Sequence, residues 1–303
     1  MNKLTQKYLN YLKFERNASP HTIISYERDL HDFQLFLQDY DAEALTNPDR
    51  ITRFTIRAWL GELSENGLKK SSIARKISAL RSLFKFAFKR GHTKENPVVF
   101  IKRPRLDKIL PKSILKDDMI ELFDAMPCET VHDIRDKAIL ELFYATGIRL
   151  SELTGLNLSD INTQLSQIRV MGKGSKERII PVSKTAINAV LAWLDVRHEL
   201  LPKSVAKKDY GAVFLTNSGK RMYPVAVQRL VKRSIERVSE ANTTNPHVLR
   251  HSFATHLLNN GADIRVIKEL MGHANLSSTQ VYTSTSVERL KNIHEHSHPR
   301  GKS

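Results

Sequence analysis

Sulfur is scarce in this chain of 303 residues, whose one cysteine is Cys128. A single thiol excludes an intramolecular disulfide and argues against a cysteine-based zinc site. No apolar run is long enough to span a bilayer, and the N-terminal stretch MNKLTQKYLNYLKFER is amphipathic where a secretory leader would be apolar. Together these absences predict a cytoplasmic protein with no membrane partner. A phosphate-binding P-loop is also missing, because Gly172-Lys173-Gly174-Ser175 lacks the G-x-x-x-x-G-K-[ST] spacing and no helical pattern follows it. Acidic residues are in deficit, 32 Asp plus Glu against 48 Lys plus Arg, for a net charge of +16.

That excess of positive charge favours a polyanionic partner, since each phosphate neutralised releases condensed counterions. RNA, anionic lipid or plain basic solubility would give the same sum. The basic residues are spread through segments with helical periodicity, so the positive surface is expected to be folded. The hydrophobic fraction of 41% and charged fraction of 26% are those of an ordinary globular protein, and the length suits two domains.

The first part reads as a four-helix module. Leu4, Tyr8, Tyr11 and Leu12 recur at helical spacing up to Asn17. Ser19-Pro20 supplies a capping hydroxyl and then proline at the first helical position. Ile23, Tyr26, Leu30, Phe33 and Leu37 follow on one face, a third helix runs from about Thr52 to Asn66, and a fourth from near Ser71 to Gly91. Glu95 to Pro111, with Pro97, Pro104 and Pro111 among the basic Lys102, Arg103, Arg105 and Lys108, suggests an interdomain linker that is either solvated or laid against the phosphates of a nucleic acid. The expected organisation is a helical domain at 1–95, a linker at 96–111 and a second domain at 112–303. In the second domain, helices are expected at about 116–126, 131–146, 184–201, 224–240, 247–260, 263–271 and 286–296. A hairpin, Gln167 to Met171 and Glu177 to Val182 around a Gly-Lys-Gly-Ser-Lys turn, interrupts them.

Four stretches carry residues suited to phosphate chemistry. Arg149 sits where a helix ends at Gly147 and another begins, so its planar, permanently charged fork projects from a rigid corner. Pairing with Glu152 would make it merely structural. Lys173 lies at the hairpin tip, where a solvated turn lysine is the ordinary case. Pro246 starts a helix that places His247, Arg250 and His251 on one face. The i, i+4 histidines have zinc-pair spacing, but Val248 stands where H-E-x-x-H requires glutamate. Gly272-His273 is followed by Tyr282, whose phenol needs positive neighbours before it can attack anything. Two arginines, two histidines, a lysine and a tyrosine, with no carboxylate cluster suited to magnesium, together compose a phosphoryl-transfer site that requires no metal and no other cofactor.

The stretches ATGIRLSELTGL, GKGSKERIIPV, HVLRHSFATHLLNNGAD and LMGHANLSSTQVYT occur in the order and spacing of the tyrosine recombinase (phage integrase) family. Over nearly its whole length the chain resembles the Xer subgroup. Two departures stand out: Ser284 where histidine is frequent, and Met271 where leucine is common.

The resemblance implies a mainly α fold. An N-terminal four-helix core-binding domain and a mostly helical catalytic domain with a small β-hairpin or sheet would close as a C-shaped clamp on DNA. It also assigns roles. Arg149 and Arg250 would bind the scissile phosphate, Lys173 would protonate the 5′-oxygen, and His247 would assist as acid or base. His273 would hydrogen-bond a phosphate oxygen, and Tyr282 would be the nucleophile.

The implied partners are double-stranded DNA, a homo- or heterotetramer on two DNA sites with a second Xer-type recombinase, and a DNA translocase of the cell-division machinery. The implied role is chromosome-dimer resolution. A mobile-element integrase and a catalytically inactive DNA-binding protein of the same fold are the alternatives.

Overall fold

The computed structural model describes residues 2–105, 113–172, 177–201, 210–238, 244–272 and 297–300. The chain divides into two compact units, Met1–Ile109 and Leu110–Ser303.

The first unit is helical. Helix α1 (Asn2–Asn10) runs into a wider π-type turn at Tyr11–Glu15 and stops at Asn17, whose φ of 46° is one asparagine tolerates better than most residues. Helix α2 (Pro20–Tyr40) is capped by Ser19, whose Oγ accepts the Thr22 N–H at 3.2 Å. Helix α3 (Arg53–Glu65) opens on a reciprocal Thr52–Thr55 capping box, and α4 (Lys70–Lys89) completes the set. Their apolar faces converge on Tyr8, Leu30, Phe33, Leu37, Trp59, Leu80, Leu83 and Phe84, all at most 2% exposed. Full burial of each such side chain contributes about 1.5–3 kcal/mol.

One expectation needs correction. The stretch 96–111 is not a solvated linker throughout, because Val98 and Ile101 are buried in the first unit's core. The Arg81 guanidinium also donates to the Ile101 carbonyl at 2.6 Å. Val98 and Ile101 turn into that core, while Val99 and Phe100 between them stay exposed.

The second unit builds α5 (Lys116–Asp124), α6 (Val131–Thr146), α7 (Leu150–Gly155), α8 (Lys184–Val196), α9 (Pro224–Ile235), α10 (Pro246–Asn259) and α11 (Ile264–Met271). The expected helix from 184 to 201 divides, with α8 ending at Val196 and a 3-10 turn covering Arg197–Leu200. The expected helix at 286–296 lies outside the described residues.

The hairpin gains a third strand. β1 (Ile161–Asn162), β2 (Gln167–Met171) and β3 (Glu177–Pro181) form an antiparallel sheet in sequence order. The register pairs Ile168 with Ile180 and Val170 with Arg178. Alternation turns Ile168, Val170, Arg178 and Ile180 inward.

Residues 297–300 are built into this unit. The Arg300 guanidinium lies 2.9 Å from the Glu141 carboxylate and over the Phe123 ring, and the His298 ring lies 4.8 Å from that of Tyr144. Tyr144 in turn bonds His256 Nδ1 at 2.8 Å, and His256 Nε2 meets the Ile114 carbonyl. Burial pushes the Glu141 carboxyl up to about 7; Arg300 and Lys137 oppose the rise and Asp124 adds to it.

The sign of the resulting pH dependence follows. Between the ordinary glutamate range and about pH 7 the folded chain holds more protons than the unfolded chain, so stability falls as pH rises through that window. Unfolding free energies at pH 5.5 and 7.5 should therefore differ in the wild type by an amount that Glu141→Gln removes, on the order of 1–3 kcal/mol. Equal pH dependence in both proteins would refute the assignment.

Candidate active site

The site is assembled at three element ends. Helix α6 terminates at Gly147, where the backbone takes φ 55° and ψ 25°. That left-handed conformation favours glycine, and space demands it too: a Cβ there would sit 2.3 Å from Cδ1 of Phe253. The chain turns at once into α7, with Arg149 at its N-cap. Glu152, three residues on, accepts the Arg149 backbone N–H at 2.7 Å and its Nη1 at 2.9 Å. Arg149 does pair with Glu152, as its structural reading supposed, yet its side chain remains 38% exposed and its second nitrogen is committed elsewhere. Nη2 donates to the Gly272 carbonyl at 2.7 Å.

Arg250 reaches the same place from α10. Its Nη1 donates to the Gly147 carbonyl and its Nη2 to the Met271 carbonyl at 2.6 Å. Gly272 ends α11 in the left-handed conformation, with φ 65°. Two guanidiniums from helices far apart in sequence thus grip adjacent carbonyls at the end of a third. Among the described residues each arginine uses two of its five N–H groups on these anchors, which leaves three N–H groups on each fork without a bond there. Burial lowers the Arg250 pKa to about 10, with the Arg149 charge adding to the effect, and the guanidinium stays protonated at neutral pH. A buried guanidinium beside a second, half-exposed one is costly without a counter-ion, and such a pairing favours an anion at the site.

Glu152 supplies part of the balance. Burial raises its carboxyl pKa, but Arg178 and Arg149 more than offset this and hold it below the usual glutamate range. Arg178 was not among the residues singled out from the sequence. It bonds Glu152 with both terminal nitrogens at 2.8 Å and the Leu270 carbonyl with Nε at 3.3 Å. Its signal was legible all the same: in β3 it stands in phase with Ile180, so a charged residue occupies an inward position of the strand.

His247 lies on the first turn of α10, one turn before Arg250, with an exposed side chain and its backbone N–H bonded to the Asn245 cap. The structure brings Arg149 and Arg250 together and places His247 at the near end of the helix that carries Arg250. Lys173, His273 and Tyr282 lie outside the described residues.

A two-unit, mostly helical fold with paired arginines held at a helix terminus defines a class of anion-handling protein. The comparisons identify which. The Phage integrase family model matches residues 112–289, and the Phage integrase N-terminal SAM-like domain model matches 5–91. Similar curated proteins include the tyrosine recombinase XerC of Pelotomaculum thermopropionicum, 40% identical over 299 residues and 97% of each chain. The tyrosine recombinase XerC of Haemophilus influenzae (strain PittEE) is also 40% identical, over 98% of this chain and 97% of its own. Among solved structures, the Tn1549 transposon integrase in complex with circular intermediate DNA covers 94% of this chain and 98% of its own, with a TM-score of 0.71 and 22% identity. The XerH site-specific recombinase bound to a palindromic difH substrate covers 95% of this chain and 83% of its own, with a TM-score of 0.66 and 24% identity. The chain belongs to the phage integrase family.

Proposed function

We propose that this protein is a site-specific tyrosine recombinase that cuts and rejoins DNA without a metal or other cofactor. The observation that carries the reading is the convergence of Arg149 and Arg250 on adjacent carbonyls of one helix terminus. The near full-length similarity to XerC proteins supports it.

In the proposed reaction the Tyr282 phenolate attacks the scissile phosphorus. A 3′-phosphotyrosyl ester forms, and the bond to the 5′-oxygen breaks. His247 handles the phenol proton, and Lys173 protonates the departing 5′-oxygen. Arg149, Arg250 and His273 stabilise the added negative charge on the phosphoryl oxygens. The ester conserves the energy of the broken bond, so the reverse attack by a 5′-hydroxyl rejoins a strand with no ATP.

The finer reading is chromosome-dimer resolution at cell division, in the cytoplasm. The protein would act as a tetramer on two DNA sites with a second Xer-type recombinase, under a DNA translocase of the division machinery. Similarity to proteins named XerC favours this over a mobile-element integrase.

The deciding experiment incubates the protein, in chelator, with nicked duplex carrying a site it binds. A protein–DNA band that survives SDS is expected. Tyr282→Phe should bind the same duplex and give no band, and a band at wild-type level from that variant would remove Tyr282 as nucleophile. Absence of a band from the wild type, with and without a partner recombinase, would reject the recombinase reading.

A further inference from the structure

Arg178 is 6% exposed on the inward face of β3. A charge in that position carries a desolvation cost and persists only when its surroundings compensate it. Here the compensation is specific. Both terminal nitrogens take the two oxygens of Glu152, a planar fork-to-carboxylate match that lysine cannot reproduce. The third donor, Nε, reaches the Leu270 carbonyl.

Each of those two contacts leads to the arginine pair. Glu152 holds Arg149 by its backbone N–H and by Nη1, so whatever fixes the carboxylate fixes the guanidinium behind it. The Leu270 carbonyl opens the turn whose next two carbonyls receive Arg250 and Arg149. That turn rests directly on Arg178: a Cβ added at Gly272 would lie 2.9 Å from its Cζ and Nη1. Arg178 therefore sets, from below, the acceptors on which both arginines are hung.

We propose that Arg178 is a positioning residue for the Arg149–Arg250 pair, acting through Glu152 and the Leu270–Gly272 turn; its bearing on catalysis rests on the recombinase reading above. Buried beneath the site, Arg178 contributes to the geometry of the reacting groups and not to DNA affinity.

The test uses the full chain with Arg178→Lys and Arg178→Ala. Single-turnover cleavage of nicked duplex should slow about tenfold in the lysine variant and about a hundredfold in the alanine variant, as expected for a misplacement near 1 Å. Affinity for the same duplex should stay within about twofold. A second readout needs no cleavage: modification of Arg149 by phenylglyoxal, followed by mass spectrometry well below the melting temperature, should accelerate severalfold in both variants. Folded variants with wild-type Arg149 reactivity and cleavage would overturn the proposal, as would a lowered melting temperature with Arg149 reactivity unchanged. If the alanine variant fails to fold, the lysine variant decides. If the wild type itself cleaves nothing, the recombinase reading falls, and Arg149 reactivity still judges Arg178.

Discussion

With lysine in place of Arg250, strand cleavage falls about a hundredfold to a thousandfold while the protein remains folded and bound to DNA. The charge survives this substitution, so long-range attraction to the duplex is kept. What is lost is the fork. Arg250 spans two carbonyls at once, Gly147 at the end of α6 and Met271 at the end of α11, and must still present N–H groups to a phosphate. A lysine ammonium has three donors on a single atom and cannot bridge both carbonyls while facing an anion. The measurement is the single-turnover rate of covalent adduct formation beside a binding isotherm on the same duplex. A rate within about threefold of wild type would mean that charge alone suffices, and the proposed role of Arg250 as a shaped phosphate clamp would be wrong.

Gly147→Ala gives the second large effect, and gives it through the fold. The alanine methyl would arrive 2.3 Å from the Phe253 ring, in a backbone conformation with φ 55° that L-residues seldom adopt. Phe253 is fully buried against the core of the second unit and cannot swing into solvent. Either α10 moves away from α6 or the turn is rebuilt, and each outcome breaks the Arg250 bond to the Gly147 carbonyl. Overpacking and left-handed strain together should lower stability by about 2–5 kcal/mol. Cleavage should be lost even at temperatures where the variant stays folded. Thermal unfolding followed by adduct formation at low temperature checks both halves, and a stable, active variant would show that the turn is more plastic than its contacts imply.

Much of the helical framework was legible because its signals are local. Ser19-Pro20 and Gly147 each act within one turn of chain, and the structure starts α2 and stops α6 there. The alternation in β2 and β3 likewise fixes which side chains face inward. Long-range pairings were not legible. No spacing rule reports that Arg149 and Arg250 meet, because their meeting depends on where α11 ends and on a carbonyl turn that has no side-chain signature. Glu152 could be read only as a neighbour of Arg149, since its second partner is a strand away. Val98 and Ile101 were hidden by surrounding prolines and basic residues, yet their apolar character decided their fate. The seat of Arg300 was not legible either, because its partner Glu141 lies far back in the sequence.

The C-terminal half of helix α6 thereby carries two anchorages close together. Glu141, which receives Arg300, stands six residues before Gly147, whose carbonyl receives Arg250. That is a distance of about 9 Å along the axis of a rod that bends little over so short a span. Over so short a span, a shift of Glu141 is expected to reach the Gly147 carbonyl and with it the Arg250 bond. A C-terminal peptide tag that pulls Arg300 off Glu141 is therefore expected to slow cleavage as well as to lower stability.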